Sequence, residues 1–140
     1  MGMSSEVLPQ WLQAARIARD NAYAPYSNFK VGAVLIDQKG GLHLGCNVEN
    51  AAYGPTNCAE RTALFRAMAD GHKTNGFRAM VIIADTDEPV PPCGTCRQVM
   101  YELCAPNMPV YMINLAGAVN KTTVKELLPG AFSAKQLSKD

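Results

Sequence analysis

Three cysteines lie at positions typical of a metal site. Cys93 and Cys96 form a C-x-x-C pair at the start of a predicted helix, and Cys58 lies at the start of an earlier one. The C-x-x-C pair alone has three interpretations: a redox dithiol, half of a zinc site, or chance. A third cysteine at another helix start disfavours the dithiol, because two helix starts that meet across a sheet would place three sulfur atoms around one zinc ion. The helix dipole at each start also favours the thiolate form that binds metal.

The remaining cysteines and histidines are less well placed to be ligands. Structural zinc sites use four protein ligands, whereas catalytic sites keep one position open for water. His43 lies in a predicted strand and His72 just past a predicted helix end, and each is more typical of a core or surface residue. Cys46 and Cys104 are more typical of small buried apolar residues. No fourth ligand is evident, which disfavours a closed, non-catalytic zinc module.

Glu60 follows Cys58 by two positions and has two interpretations. In the first, Asn57 caps the helix and Glu60 completes a capping box. In the second, the carboxylate lies beside a water activated by metal and acts as general base and then general acid. The spacing of the cysteines favours the second, because zinc nucleobase deaminases combine such ligands with a glutamate that transfers protons and does not bind the metal.

Two arginines lie next to these residues in the sequence. Three thiolates on Zn²⁺ would leave the site with a charge of −1, which weakens its ability to acidify water. Arg61 follows Glu60, and Arg97 follows Cys96. Either guanidinium could donate to a ligand sulfur and offset that charge, and the alternative is a pair of ordinary surface arginines.

The elements that must position these residues are of mixed type, in the order α-β-β-α-β-α-β-β-α. This order predicts a three-layer α/β/α domain with a mixed sheet, and an α+β arrangement with helices on one side is the alternative. Period-two alternation in the second strand places Asn47 and Glu49 on one face. The predicted helices run from a cap at Ser4 or Ser5 to about residue 22, from 56 or 57 to about 70, over 94–104 and over 124–128. The predicted strands cover residues 29–37, 42–50, 78–84, 110–114 and 119–123.

Composition predicts a single domain over residues 1–140, with residues 1–5 flexible or derived from a tag. Of the 140 residues 48% are apolar and 18% charged, and the net charge is +1. These values exclude the disordered class and give a nucleic-acid partner no electrostatic support. No apolar run is long enough to span a bilayer, and the chain begins without a signal-peptide pattern. We therefore expect a cytoplasmic protein with no membrane partner.

Five segments of the sequence resemble the small, homotetrameric cytidine deaminases of nucleoside salvage. The match extends from about residue 12 to residue 137 and is more specific than a zinc pattern. The segments are 23–33 (YAPYSNFKVGA), 47–53 (NVENAAY), 58–63 (CAERTA), 92–98 (PCGTCRQ) and 127–132 (LLPGAF). The resemblance implies a five-stranded mixed sheet between helices, with the last two strands antiparallel.

The resemblance also implies a role for each matching residue. Cys58, Cys93 and Cys96 would bind one zinc ion per chain, and Glu60 would transfer protons. Arg61 would donate hydrogen bonds to the ligand thiolates. The residues implied to contact substrate are Phe29 (stacking on the pyrimidine), Asn47 and Glu49 (the ribose hydroxyls), Ala59 (backbone contact to the base), and Tyr53 and Phe132 (reaching the site of a neighbouring subunit).

The expected activity is therefore zinc-dependent hydrolytic deamination of cytidine and 2'-deoxycytidine to uridine and 2'-deoxyuridine, with release of ammonia, in pyrimidine salvage. The resemblance also implies a homotetramer with shared active sites. A polynucleotide deaminase is the nearest competing function, but such an enzyme normally has a basic track. Two further functions compatible with a zinc site are deamination of a modified nucleoside or nucleoside-like antibiotic, and a zinc module without catalysis.

Overall fold

A five-stranded sheet with helices on both faces forms the centre of the computed structural model, which describes residues 6–137. The elements in chain order are α1 (Pro9–Asp20), β1 (Val31–Asp37), β2 (Leu42–Cys46), α2 (Ala59–Ala69), β3 (Phe77–Ala84), α3 (Gly94–Leu103), β4 (Pro109–Asn114), β5 (Val119–Thr123) and α4 (Val124–Leu127), followed by a 3₁₀ helix (Ala134–Leu137).

The strands are arranged in the order β2-β1-β3-β4-β5. β3 and β4 are parallel, and every other neighbouring pair is antiparallel. Helix α3 connects the parallel pair, as parallel neighbours need a crossover rather than a tight turn. The mixed sheet and the antiparallel pairing of the last two strands confirm the predicted topology.

The two faces of the sheet are covered by different helices. Helix α1 packs on one face through Trp11 and Ala15, and helices α2 and α3 pack on the other through Leu64 and Met100. The sheet contributes alternate residues to the two cores, as strand geometry requires. The three-layer α/β/α prediction is therefore confirmed, and the one-sided arrangement is wrong.

Two strand glycines let helices approach the sheet closely. A Cβ atom at Gly32 would lie 2.2 Å from the carbonyl oxygen of Ala15 in α1. A Cβ atom at Gly45 would lie 2.3 Å from the backbone nitrogen of Ala63 and 2.5 Å from the carbonyl oxygen of Ala59, both in α2. Because these contacts involve helix backbone, neither position accepts a larger residue without displacing a helix.

The first helix starts later and ends earlier than predicted. It begins at Pro9 with Leu8 as its N-cap, and no side chain among residues 6–137 caps it. Proline suits the first helical position, where its missing N–H would have no partner. The predicted caps, Ser4 and Ser5, lie outside the described residues.

Two boundaries beside the predicted site also differ. Strand β2 ends at Cys46, so Asn47 and Glu49 lie in the following loop rather than in the strand. Helix α2 begins at Ala59 with Cys58 as its N-cap, so the predicted start at residue 56 or 57 is wrong. The cause is a bridge between Val48 and Asn57, whose backbone groups pair in both directions at 2.9 and 3.0 Å. This bridge holds the chain extended up to the start of α2.

Within residues 6–137, no helix is both long and apolar enough to cross a membrane.

Candidate metal and substrate site

The three cysteine side chains predicted to bind metal meet at the starts of two helices. Cys58 is the N-cap of α2, Cys93 is the N-cap of α3, and Cys96 lies in the first turn of α3. The Sγ atom of Cys93 lies 3.8 Å from that of Cys58 and 3.3 Å from that of Cys96. All three sulfur atoms lie within 4.8 Å of one another.

This spacing fits a tetrahedral zinc ion. A Zn–S bond of about 2.3 Å places neighbouring sulfur atoms about 3.8 Å apart, close to the observed separations. In the described part of the chain, no further histidine, cysteine or carboxylate joins the group. Cys58 and Cys93 line a cavity. The donor set therefore suits zinc and leaves one coordination position for a small molecule, as catalytic zinc sites require.

The Arg61 side chain lies against the cysteine cluster. Its Nη2 atom donates a hydrogen bond of 3.4 Å to the Sγ atom of Cys58. Hydrogen bonds from Cys96, Arg61 and Cys93, of which that from Cys96 has the largest effect, lower the pKa of Cys58 to about 5. The nearby sulfurs in turn raise the pKa of Arg61 above its ordinary value. This contact therefore places a permanent positive charge beside the Cys58 sulfur, which favours its thiolate form.

Within the described residues, the side chain of Arg97 bonds to backbone carbonyl groups and not to a sulfur, so the second arginine suggested by the sequence acts differently. Its Nε donates to the carbonyl oxygen of Pro92 at 2.7 Å, and its Nη1 donates to that of Leu127 at 3.0 Å. These bonds tie the loop before α3 to the end of α4. Arg97 therefore fixes the backbone that carries Cys93.

Glu60 lies in the first turn of α2, is only 5% exposed, and lines the same cavity. Burial, with a smaller contribution from the Cys58 thiolate, raises the pKa of Glu60 to about 7. A carboxyl group with a pKa near neutral can both accept and return a proton. Its position inside the cavity therefore favours the proton-transfer interpretation of Glu60 over the capping-box interpretation.

The cavity beside these residues has a volume of about 340 Å³. That volume falls at the lower end of the range for small-molecule sites, which is about 300–1,000 Å³. Of the residues that the resemblance assigns to substrate, the cavity is lined by Phe29, Asn47, Glu49 and Ala59. Two cysteines of the metal cluster, Cys58 and Cys93, therefore share one cavity with these four residues.

Asn47 and Glu49 hold the loop that carries Phe29. The Nδ2 atom of Asn47 donates to the carbonyl oxygen of Phe29 at 2.8 Å, and its Oδ1 accepts from the backbone N–H of Val31 at 2.9 Å. One carboxylate oxygen of Glu49 accepts from two successive backbone N–H groups, at 3.0 and 3.1 Å, and the other accepts from the hydroxyl of Ser27. These contacts lower the pKa of Glu49, with the hydroxyl contact as the largest cause. The pair therefore shapes the cavity wall as well as lining it.

Tyr53 and Phe132 do not line the cavity of this chain. Tyr53 is 85% exposed and Phe132 is 56% exposed. The carbonyl oxygen of Phe132 accepts a hydrogen bond of 3.0 Å from Gln98 in α3, which fixes the segment that carries its ring.

Several lining residues were not singled out from the sequence. Val90 and Pro91 form part of the cavity wall, and they belong to a loop whose effect the sequence does not predict. The side chain of Asn114, which is 3% exposed, anchors this loop by donating to the carbonyl oxygen of Asp87 at 2.9 Å. A buried asparagine at the end of strand β4 is the one sequence signal that could have indicated this anchor.

Comparison with known proteins gives consistent results. The family described as the cytidine and deoxycytidylate deaminase zinc-binding region matches residues 5–112. A cytidine deaminase of Sporosarcina psychrophila is 55% identical over 121 residues, which cover 86% of this chain and 88% of that protein. Another from Halalkalibacterium halodurans is 54% identical, with 86% and 90% covered. The crystal structure of a cytidine deaminase from Burkholderia pseudomallei has a TM-score of 0.87 and 50% identity, and the match covers 93% of this chain and 100% of that one.

The chain belongs to the cytidine and deoxycytidylate deaminase zinc-binding family. This membership confirms the predicted fold, the hydrolytic deaminase class and the zinc cofactor. Cys58, Cys93 and Cys96 form a group that can hold one metal ion.

Proposed function

We propose that the chain hydrolyses cytidine and 2'-deoxycytidine to uridine and 2'-deoxyuridine, releasing ammonia, as a step of pyrimidine salvage. The observation that carries this proposal is one cavity lined by Cys58 and Cys93 of the convergent cysteine cluster, by the buried carboxyl group of Glu60, and by the polar pair Asn47 and Glu49. The cavity volume suits a single nucleoside.

In the proposed mechanism, Cys58, Cys93 and Cys96 hold the zinc ion. When bound, zinc supplies a Lewis acid that makes a water molecule a nucleophile at neutral pH. Glu60 accepts a proton from the attacking water while the water oxygen bonds to C4 of the pyrimidine. Glu60 then delivers that proton to N3. A second proton passes through the same carboxyl group to the amino nitrogen. The C4–N bond then breaks and ammonia leaves.

The other residues orient the nucleoside. Phe29 stacks on the pyrimidine, and the backbone at Ala59 contacts the base. Asn47 and Glu49 bind the ribose hydroxyls with the hydrogen-bonding capacity that the loop leaves unused. An asparagine amide has two N–H donors and an ionised carboxylate has about four acceptor positions, so the contacts described above do not saturate either side chain. Binding the sugar in this way contributes energy that orients the reacting carbon.

A homotetramer in the cytoplasm is the proposed state of the protein. Two large aromatic side chains, those of Tyr53 and Phe132, are exposed outside the cavity. Exposed aromatic rings of this kind are typical of interfaces. Each would complete the cavity of a neighbouring subunit. Sedimentation of the zinc-loaded protein tests the assembly, since a tetramer has four times the 15.1 kDa mass of the chain, and a monomer at assay concentration would contradict it.

The proposed reaction is tested by an ultraviolet assay of purified, zinc-loaded protein with cytidine, 2'-deoxycytidine and cytosine in parallel. We expect both nucleosides to lose the absorbance of the aminopyrimidine, with ammonia released in equal amount, while free cytosine reacts poorly. No reaction with either nucleoside, at one zinc per chain, would contradict the proposal and would favour a modified nucleoside or a polynucleotide as substrate. Equal rates with cytosine would contradict the role given to Asn47 and Glu49.

A further inference from the structure

A second group of potential metal ligands lies outside the catalytic cavity, where strand β1 turns into β2. It consists of Asp37, His43 and His72, whose ligand atoms all lie within 4.8 Å of one another. The Nε2 atom of His43 lies 2.9 Å from Oδ2 of Asp37, and the Nε2 atom of His72 lies 3.7 Å from the same oxygen. The two imidazole rings are in edge-to-face contact, with centroids 4.4 Å apart.

The hairpin turn after β1 and the end of helix α2 orient these three side chains toward one another. The Oδ1 atom of Asp37 accepts from the backbone N–H groups of Lys39 and Gly41 at 2.8 and 2.9 Å, which leaves Oδ2 to face the histidines. His72 follows Gly71, whose φ of 98° ends helix α2. The N–H of His72 bonds to the carbonyl oxygen of Ala67 at 3.1 Å, in the Schellman arrangement. The group is therefore built by a hairpin turn and a helix end.

The burial of the group differs from that of an ordinary surface ion pair. The side chains of His43 and Asp37 are 11% and 10% exposed, and that of His72 is 34% exposed. The Nε2 atoms of both histidines approach the same carboxylate oxygen, Oδ2 of Asp37. Because a neutral imidazole carries only one N–H, its other ring nitrogen has a lone pair that can bind a metal ion. A divalent ion among the three ligands would satisfy both imidazoles and the carboxylate together. The partial exposure of His72 gives the ion a route from solvent.

We propose that Asp37, His43 and His72 form a second metal site, which binds a divalent ion that prefers imidazole and carboxylate ligands, such as Zn²⁺ or Ni²⁺. Bonds of about 2.0–2.2 Å from a tetrahedral ion place neighbouring N and O ligands about 3.3–3.6 Å apart, which lies between the two observed separations of 2.9 and 3.7 Å. Imidazole nitrogen is a good ligand for both ions. Three protein ligands leave the remaining positions to water.

The proposed site is separate from the cysteine cluster. Cys58 directly precedes the first residue of α2, and His72 lies three residues past the last residue of that helix. An eleven-residue helix is about 16 Å long, so the two sites lie at opposite ends of α2. An ion at the second site would join the β1–β2 hairpin to the end of the helix that carries Glu60.

The test is calorimetric titration of Ni²⁺ into untagged protein whose cysteine site already holds one zinc per chain. We expect one Ni²⁺ to bind per chain without release of zinc. His72→Gln should weaken binding by about 100-fold or more, since loss of a direct ligand exceeds the 10–100-fold effect of losing an outer contact. Lys73→Gln, an exposed neighbour, is the matched control and should bind as the wild type does.

Three results would overturn the proposal. The first is no Ni²⁺ binding to zinc-loaded wild-type protein, and the second is unchanged binding in His72→Gln. The third is release of one zinc for each Ni²⁺ bound, which would place the ion at the cysteines. Asp37→Asn gives an independent comparison, and its zinc content at the cysteine site shows whether the variant is folded. Loss of Ni²⁺ binding with that zinc retained supports the assignment.

Discussion

Arg61 lies beside the proposed metal centre and is not one of its predicted ligands. Its guanidinium donates to the Sγ atom of Cys58 at 3.4 Å, while its Nε is buried without a hydrogen-bond partner in the described part of the chain. An unpaired buried donor costs free energy, so the position is not explained by hydrogen bonding within the protein alone. Its positive charge lies beside the Cys58 sulfur and would offset the negative charge of three thiolates on zinc, which gives the arrangement a physical reason.

Replacing Arg61 by glutamine should therefore weaken zinc binding. We expect the affinity for zinc to fall about 10–100-fold, as is typical when a contact to a metal ligand is lost. Competition with a chromophoric chelator measures this affinity, and turnover of cytidine should fall in parallel.

The matched control for this variant is Arg66→Gln in the same helix. Arg66 is exposed and donates to the carbonyl oxygen of Leu44 at 3.2 Å, away from the sulfurs. Equal zinc affinities for Arg61→Gln and Arg66→Gln would refute the electrostatic role of Arg61.

At the scale of elements, the position of helix α2 decides where Glu60 and Cys58 lie. The helix packs so closely on strand β2 that only glycine fits at position 45. A Cβ atom there would meet the backbone of Ala59 and Ala63, and neither can rotate away. The strand therefore sets the depth at which the first turn of α2 enters the cavity.

Gly45→Ala should consequently damage both stability and the site. Forcing a methyl group into packed backbone costs about 1–3 kcal/mol of unfolding free energy. We expect a lower urea midpoint and a reduced kcat, because Ala59 and Glu60 must move with the helix. Gly54→Ala is the control, since a Cβ atom at Gly54 meets nothing within 4 Å. Gly45→Ala with the stability and kcat of that control would contradict this account of α2.

Sequence reasoning predicts the elements better than their junctions. Strand β5 has the predicted bounds of residues 119–123, because turn residues mark its start. The start of α2 is misplaced, because the bridge between Val48 and Asn57 pairs residues nine positions apart with no local signature. The sequence also does not predict that Val90 and Pro91 line the cavity. Their position depends on the hydrogen bond from Asn114 to Asp87, which joins residues far apart in the sequence. The grouping of His43 and His72 around Asp37 is likewise not predictable from local sequence, because it requires the end of helix α2 to pack against the β1–β2 hairpin.

On the scale of the whole molecule, the sheet separates two environments. The cysteine cluster, the cavity and helices α2 to α4 occupy one face, and α1 covers the other. On the α1 face, the Tyr111 hydroxyl donates to Glu6 at 2.7 Å, and the same carboxylate lies 2.7 Å from Nζ of Lys121. Tyr111 is thus a titratable group in the fold that the proposed chemistry does not use.

The raised pKa of Tyr111 predicts that the protein loses stability at alkaline pH. Burial, followed by the bond to Glu6, raises the pKa of Tyr111 to about 12 from an ordinary value of 10.0. Between those values the unfolded chain has lost a proton that the folded chain keeps, so the free energy of unfolding falls as the pH rises. Buried Cys104, whose pKa is also raised to about 12, adds to the same trend.

Thermal unfolding from pH 8 to 11 measures this effect. Comparison with Tyr111→Phe shows how much of the fall in Tm comes from Tyr111. We expect the variant to begin with a somewhat lower Tm, because it lacks the bond to Glu6, and to lose less Tm over the alkaline range. Parallel curves for the two proteins would show that Tyr111 does not contribute to the slope.

The most direct test of the account is the turnover of Glu60→Gln loaded with one zinc per chain. The substitution keeps the shape of a buried side chain but removes the group that we propose transfers protons. We therefore predict unchanged zinc content and a fall in kcat of about 10⁴-fold, the upper range for general acid–base catalysis. Glu102→Gln, an exposed change in α3, is the matched control and should retain wild-type turnover. Near-normal turnover in zinc-loaded Glu60→Gln would contradict the central claim that this carboxyl group carries the protons of the reaction.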